Sequence, residues 1–179
     1  MSATYLLTRM VYMNISQQFA KKRIMFIPTE DYNFLAYNLL LFLNELGCHS
    51  EKTKLRDFRK VAYLIEFISS SADLDTYDTN DLSKIYLRAQ LKKKLLSHLL
   101  ITLKNKNYLD ISLNTTHKTI ELWLKKENIP EDFFDKEKFS RELFNIKKLI
   151  KNQKITKVSL LKKMVNDIFT TRGVLTWEV

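Results

Sequence analysis

From Phe34 to Leu43 the chain places Phe34, Leu35, Tyr37, Leu39, Leu40, Leu41, Phe42 and Leu43 almost without a break. At 100° per residue these positions go all the way round a helix, so the helix they predict has to be covered on several sides. Its limits are set by Pro28-Thr29-Glu30-Asp31, a capping hydroxyl with two carboxylates, and by Gly47, a residue suited to a left-handed C-terminal position. The expected span is about 30–46. Before it, Tyr5 to Phe26 shows no clean period and reads as an extended, strand-containing lead-in, residues 1–29.

Ser50 is placed to cap a second helix reaching about Ser69, with Leu55, Phe58, Ala62 and Ile65 at helical spacing. Its first half carries Lys54, Arg56, Arg59 and Lys60, and its second half, Val61 to Ile68, is nearly all apolar. Ser69 to Asp81 then holds Asp73, Asp75, Asp78 and Asp81. It is not a calcium loop: Tyr77 falls on a ligand position, Asp78 on the glycine position and Lys84 where the closing glutamate belongs. An acidic loop ending in an N-cap fits better.

Leu82 to Lys106 is a long helical pattern with seven bases and no acid. Leu82, Ile85, Ala89, Leu96, Leu100 and Leu103 form one stripe, and Leu87, Leu91 and Leu95, each four apart, form a second on another face. Two stripes require two neighbours. The period then changes to two: Leu109, Ile111 and Leu113 alternate, and after Asn114-Thr115-Thr116-His117-Lys118 so do Ile120, Leu122 and Leu124, which predicts a β-hairpin with a polar tip. Helical spacing returns over about 136–152 with Phe139, Leu143, Ile146 and Ile150, and again over 158–169. Gly173 precedes a β-prone tail, Val174 to Val179. The fold class is mostly α with a small β-hairpin: a lead-in (1–29), a winged-helix-like core (30–126), and a C-terminal helical extension ending in a strand (127–179).

Composition removes most catalytic classes. Gly47 and Gly173 are the only glycines, so a Walker loop, a dinucleotide fingerprint and a G-x-S-x-G elbow have no place to form. Cys48 is the only cysteine, which excludes an internal disulfide and any multi-thiolate zinc site. Cys48 and His49 are adjacent and point apart more readily than at one ion, and His98 and His117 lie elsewhere, so no metal is expected. Glu30-Asp31 and Glu131-Asp132 stand at expected helix starts, where the helix dipole accounts for them. No catalytic residue, cofactor or metal ligand is assigned, and the chain is not read as an enzyme.

Arg9 interrupts the first apolar stretch, and Lys21-Lys22-Arg23 follows it rather than preceding it, unlike a secretory signal. The longest apolar run, Phe34 to Leu43, is too short to span a bilayer. A cytoplasmic protein without a membrane partner is expected. The net charge of +10 favours acidic partners, nucleic acid, an anionic membrane surface or an acidic protein, and does not by itself choose among them.

The order helix, helix, long basic helix, hairpin matches a winged-helix arrangement, in which the third helix enters the major groove and the hairpin touches phosphates. On that reading Lys84, Arg88, Lys92, Lys93, Lys94 and Lys118 are the nucleic-acid contacts. Against it, the second leucine stripe occupies positions where base-reading polar side chains are needed, and lysines on such a helix also serve simply to solvate it. Winged-helix domains dock proteins as well as DNA.

The segments from Glu30 to Gly47 (EDYNFLAYNLLLFLNELG) and from Lys52 to Phe67 (KTKLRDFRKVAYLIEF) resemble the small middle subunits of bacterial three-component ABC-ATPase systems, of which the Lamassu antiphage systems are the best known. The shared pattern is an apolar first helix, a turn, a second helix with a basic start and an apolar end, then a helix and hairpin, over about residues 30–126. The resemblance implies a non-catalytic accessory subunit that docks on an SMC/Rad50-like ATPase and couples DNA sensing to a separate nuclease effector. It makes Leu87, Leu91, Leu95, Val174, Leu175 and Trp177 candidate partner contacts. The alternative is a free-standing winged-helix transcriptional regulator.

Overall fold

The described elements are α1 (Tyr32–Glu45), α2 (Val61–Ser69), α3 (Thr79–Asn105), a hairpin of β1 (Leu109–Asn114) and β2 (Thr119–Leu124), α4 (Ser140–Ile150) and α5 (Leu161–Ile168), with paired 3-10 turns before α2 and before α4 and a π-helical turn, Lys154–Val158, before α5. They come from a computed structural model that describes residues 32–70, 73–134, 137, 139–151 and 154–177; the lead-in expected over 1–29 lies outside these. Among the described residues the chain is mostly helical with one two-stranded antiparallel sheet.

As its composition demands, α1 is covered on several sides: α2, α3, α4 and β2 all pack on it, and Leu35 and Leu39 to Leu43 are buried. It stops at Gly47, whose φ of 64° no β-carbon favours. There the Cys48 N–H donates to the Leu43 carbonyl (2.9 Å) and the Gly47 N–H to that of Asn44 (3.0 Å), closing a Schellman motif.

The helix expected from Ser50 begins eleven residues late, at Val61. A long-range pairing wins over local spacing: the Leu55 N–H donates to the Leu122 carbonyl (2.9 Å) and Leu122 returns the bond (3.2 Å), so Leu55 is a one-residue strand on the edge of β2. Two residues later Asp57 takes a left-handed conformation, φ 62°, and turns the chain into α2. Leu55, Phe58, Ala62 and Ile65 are buried, so the spacing located core residues although it overextended the helix.

The acidic loop does end in an N-cap, but three residues earlier than a helix from Leu82 implies: the Asp78 carboxylate accepts from the Asp81 N–H (2.7 Å) and α3 starts at Thr79, so Asp81 lies in its first turn. In the hairpin, Leu109 faces Leu124, Ile111 faces Leu122 and Leu113 faces Ile120. The apolar face fades toward the tip, from buried Leu109 to exposed Leu113. α4 and α5 occupy shorter spans than the patterns over 136–152 and 158–169, and α4 packs on α1 and α2, with Leu143 and Ile146 in the same core. Val174 to Trp177 joins no sheet among the described residues, unlike the strand expected there. The tail has a side-chain anchor instead, since the Trp177 N–H donates to the Tyr86 hydroxyl (3.0 Å).

Candidate interaction surface on the long helix

The two stripes of α3 meet different fates. Leu82, Ile85, Ala89, Leu96, Leu100 and Leu103 are buried against the core, chiefly on α2. Leu87, Leu91 and Leu95 remain 52, 79 and 40% exposed. The expected second neighbour is therefore not found among the described residues. Lys84, Arg88 and Lys94 share this outer side, and all three are exposed. Of these three, Lys84 has a carboxylate partner in Asp81, at 3.4 Å.

The other bases assigned to nucleic acid separate on geometry. Lys92 is buried, 7% exposed, with its ammonium ion-paired to the buried Glu66 carboxylate of α2. This position continues the inner stripe between Ala89 and Leu96, so its charge is turned to the core and away from any surface ligand. Lys93 is half-buried, its ammonium 5.2 Å from the centre of the Tyr63 ring. Lys118 is exposed at the hairpin tip with φ 49°, beside His117, whose N–H donates to the Asn114 side chain (3.0 Å).

The tail residues also divide. Val174 is buried, whereas Leu175 and Trp177 are exposed. The Trp177 ring stands edge-on to Tyr86, centroids 4.8 Å apart, within an aromatic cluster that includes Tyr63 and Phe169. Arg172 holds the preceding turn against the start of α3 by donating to the Leu74 carbonyl, while Thr79 donates to the Arg172 carbonyl (2.9 Å). The tail is thus held against α3 at Tyr86, whereas the outer stripe runs along the middle of the same helix.

Comparison with known proteins gives no match: no family model, no curated protein and no solved structure is significantly similar to the chain. The chemistry of the surface has to stand on its own geometry.

A second cluster, belonging to no motif in the sequence, brings together titratable groups perturbed by burial, a feature that catalytic centres share with structural networks. Asp57, Lys60 and Cys48 are all fully buried. Burial lowers the Lys60 ammonium to a pKa of about 8, against smaller opposing effects of Asp57 and Cys48. Burial likewise raises the Cys48 thiol to about 11, opposed by Lys157 and Lys60. The Lys60 ammonium donates to the carbonyls of Thr156 (3.1 Å) and Lys157 (3.3 Å), and Asp57 holds Arg59 and the Leu161 N–H. These bonds stitch the wide turn Lys154–Val158 and the start of α5 onto the core, so the cluster is a structural hub. The lone Asp57 in a basic stretch is the sequence signal that marks it.

The hub gives a pH dependence. Lys60 titrates lower in the folded chain than in the unfolded one, so from pH 8 upward the unfolded state holds more protons and stability rises with pH. Cys48 acts in the opposite sense from its unfolded value of 9.0 upward. Between these, from about pH 8 to 9, a net gain of roughly 0.5–1 kcal/mol is expected. Urea midpoints at the two pH values measure it, and Lys60→Met should flatten the rise.

A cleft of about 300 Å³ lies between α1, the end of α3 and the Ile129 to Phe133 turn. Tyr32, Tyr37, Tyr108 and Phe133 line it, with Lys106 its one charged residue, and no acid–base or nucleophile pair converges there. Among the described residues no three His, Cys, Asp or Glu side chains gather as metal ligands, and no helix is long and apolar enough to cross a membrane.

Proposed function

We propose that the chain is a non-catalytic accessory subunit of an SMC/Rad50-like ATPase complex of the Lamassu type, cytoplasmic, docking on the ATPase and helping couple DNA sensing to a separate nuclease effector. The observation that carries this reading is the outer side of α3. A row of leucines left exposed on a long, well-packed helix is a surface that wants a protein, and the tail held on the same helix at Tyr86 displays two further exposed apolar side chains, Leu175 and Trp177. The sequence resemblance over 30–126 supplies the kind of complex. Within the core, α1, the single-residue strand at Leu55, α2, α3 and the hairpin follow the order of a winged helix, and we read the core as winged-helix-like.

The test is purification of the chain alone and together with the products of its genomic neighbours. Poor behaviour alone, rescued by an adjacent ATPase with which it co-elutes, is the expected result. A monodisperse dimer that binds a specific operator would sink the proposal.

One observation favours the DNA-binding regulator as a second reading: Lys84, Arg88 and Lys94 on α3 and Lys118 at the hairpin tip are exposed, and in a winged helix these would be recognition-helix and wing positions. If all four met phosphates, log affinity would fall against log salt with a slope near −3.6, about −0.9 per contact. The reversal Lys84→Glu, Arg88→Glu, Lys94→Glu should then remove most of that slope. On the accessory-subunit reading, duplex binding by the isolated chain is weak and this variant changes chiefly protein association.

A further inference from the structure

The exposed side of α3 specifies its partner by what it lacks. After Asp81 the helix has no carboxylate through Asn105. In helical projection Leu87, Leu91 and Leu95 form a ridge about 12 Å long, Arg88 lies along one edge and Lys94 along the other. Lys84 stands a turn before Leu87 and His98 a turn past Lys94, both exposed. The pattern is an apolar seam with basic borders.

Three classes of occupant are distinguishable by this chemistry. A second copy laid face to face would bring Arg88 and Lys94 against bases of the same kind, with no acid to receive them. Duplex DNA would satisfy the bases but press Leu91, the most exposed leucine of the ridge at 79%, against phosphates and sugars. A helix with a leucine-type seam and carboxylates on both borders satisfies the leucines and the bases together.

We infer that this face receives an acidic amphipathic helix of another protein, its seam on Leu87, Leu91 and Leu95 and its carboxylates at Arg88 and Lys94. The inference deepens the accessory-subunit reading and rests on it for the source of that helix. The two helices lie nearly parallel or antiparallel, crossing at about 20°, as interdigitated ridges of this spacing do. The seam supplies affinity, and the exposed borders supply orientation, association rate and salt sensitivity.

The probe is a pair of helix-stapled peptides about three heptads long, with leucine at the a and d positions and either glutamate or lysine at e and g. The full chain is titrated with each by fluorescence anisotropy. The glutamate peptide should bind at least about tenfold more tightly than the lysine peptide, and weaken as salt rises from about 50 to about 300 mM. Leu91→Glu should weaken it by a further tenfold or more, on the order of 1.4 kcal/mol. Because Leu91 is exposed, thermal melting of that variant should match the parent chain, and Leu91→Ala, with no new charge, should show a smaller loss in the same direction. Equal binding of both peptides, no effect of Leu91→Glu, competition by duplex DNA, or a dimer of the isolated chain that Leu91→Glu dissolves would each overturn the inference.

The neighbouring ATPase separates this inference from the reading beneath it. If the ATPase co-purifies equally with the parent chain and with Leu91→Glu, the accessory-subunit reading stands and this face is not its dock. If the glutamate peptide binds in the Leu91-dependent way and no ATPase is retained, the face is an acidic-helix receptor and the accessory-subunit reading falls.

Discussion

Replacing Lys92 by alanine is expected to cost the fold about 3–5 kcal/mol, a large share of the roughly 5–15 kcal/mol that stabilises a typical domain. Glu66 is the only charged residue in α2, whose residues from Val61 to Ile68 are all buried, and its carboxylate is ion-paired to the Lys92 ammonium of α3. α2 and α3 make the most extensive helix–helix contact among the described elements, so an unpaired charge there loosens the centre of the core. Removing one partner leaves the other dehydrated and uncompensated, whereas removing both leaves neither. The double variant Glu66→Leu, Lys92→Met should therefore lie near the parent chain in stability or above it. Urea denaturation with an unchanged m-value measures the difference. A loss below about 1 kcal/mol for Lys92→Ala would mean that the pair is wetter than its 3 and 7% exposures imply. The result also bears on DNA assays: a Lys92 variant that fails to bind DNA has lost its fold before it has lost a phosphate contact.

Asp57→Ala is expected to cost about 2–3 kcal/mol and to release the C-terminal extension before the rest. The buried Asp57 carboxylate accepts from Arg59 through Nε (2.8 Å) and a terminal nitrogen (2.9 Å), and from the Leu161 N–H (2.8 Å). It thus caps the first turn of α5 from a distant part of the chain, while its φ of 62° sets the entry to α2. Burial alone would raise its pKa, but the bonds from Arg59 and Leu161 and the Arg59 charge outweigh burial and hold it below 3.8. A depressed carboxylate contributes stability that is complete above its unfolded value and is lost as pH falls through and below 3.8. Hydrogen exchange should show amides of Leu161 to Ile168 losing protection in Asp57→Ala while those of α1 and α3 keep most of theirs. Asp57→Asn, which tolerates the left-handed conformation and keeps an acceptor, should cost less than half as much. Uniform loss of protection across all helices would show that Asp57 supports the whole core and not one docked segment.

These two positions show where local pattern stops carrying information. α1, the Asp78 cap, α3 and the hairpin were legible because each is decided by neighbours within a few residues: an over-apolar run closed by Gly47, a carboxylate before a helix, a change of period from 3.6 to 2. The segment from Ser50 to Lys60 was not, because Leu55 spends its backbone bonds on Leu122, and no local spacing encodes that partner. Lys92, Lys93 and Lys94 looked equivalent as a basic run, yet one faces the core, one an aromatic ring and one solvent. The signal for Lys92 was present: it completes the series Ile85, Ala89, Lys92, Leu96, and Glu66 is a lone acid in an apolar helix that needs a cation. The outer stripe of α3 was legible as a surplus of leucine, and its exposure follows from the inner stripe being sufficient to bury the helix.

On the proposed function, this surplus of leucine is a dock for an SMC/Rad50-like ATPase. A photo-crosslinking residue placed at Leu91, in cells co-expressing the adjacent genes, tests it most directly, with the same residue at the exposed Arg141 of α4 as the control. The account predicts a covalent adduct between position 91 and the ATPase, identified by mass spectrometry, and none from position 141. An adduct from position 91 to DNA or to a second copy of the chain, with the ATPase uncrosslinked, would contradict it.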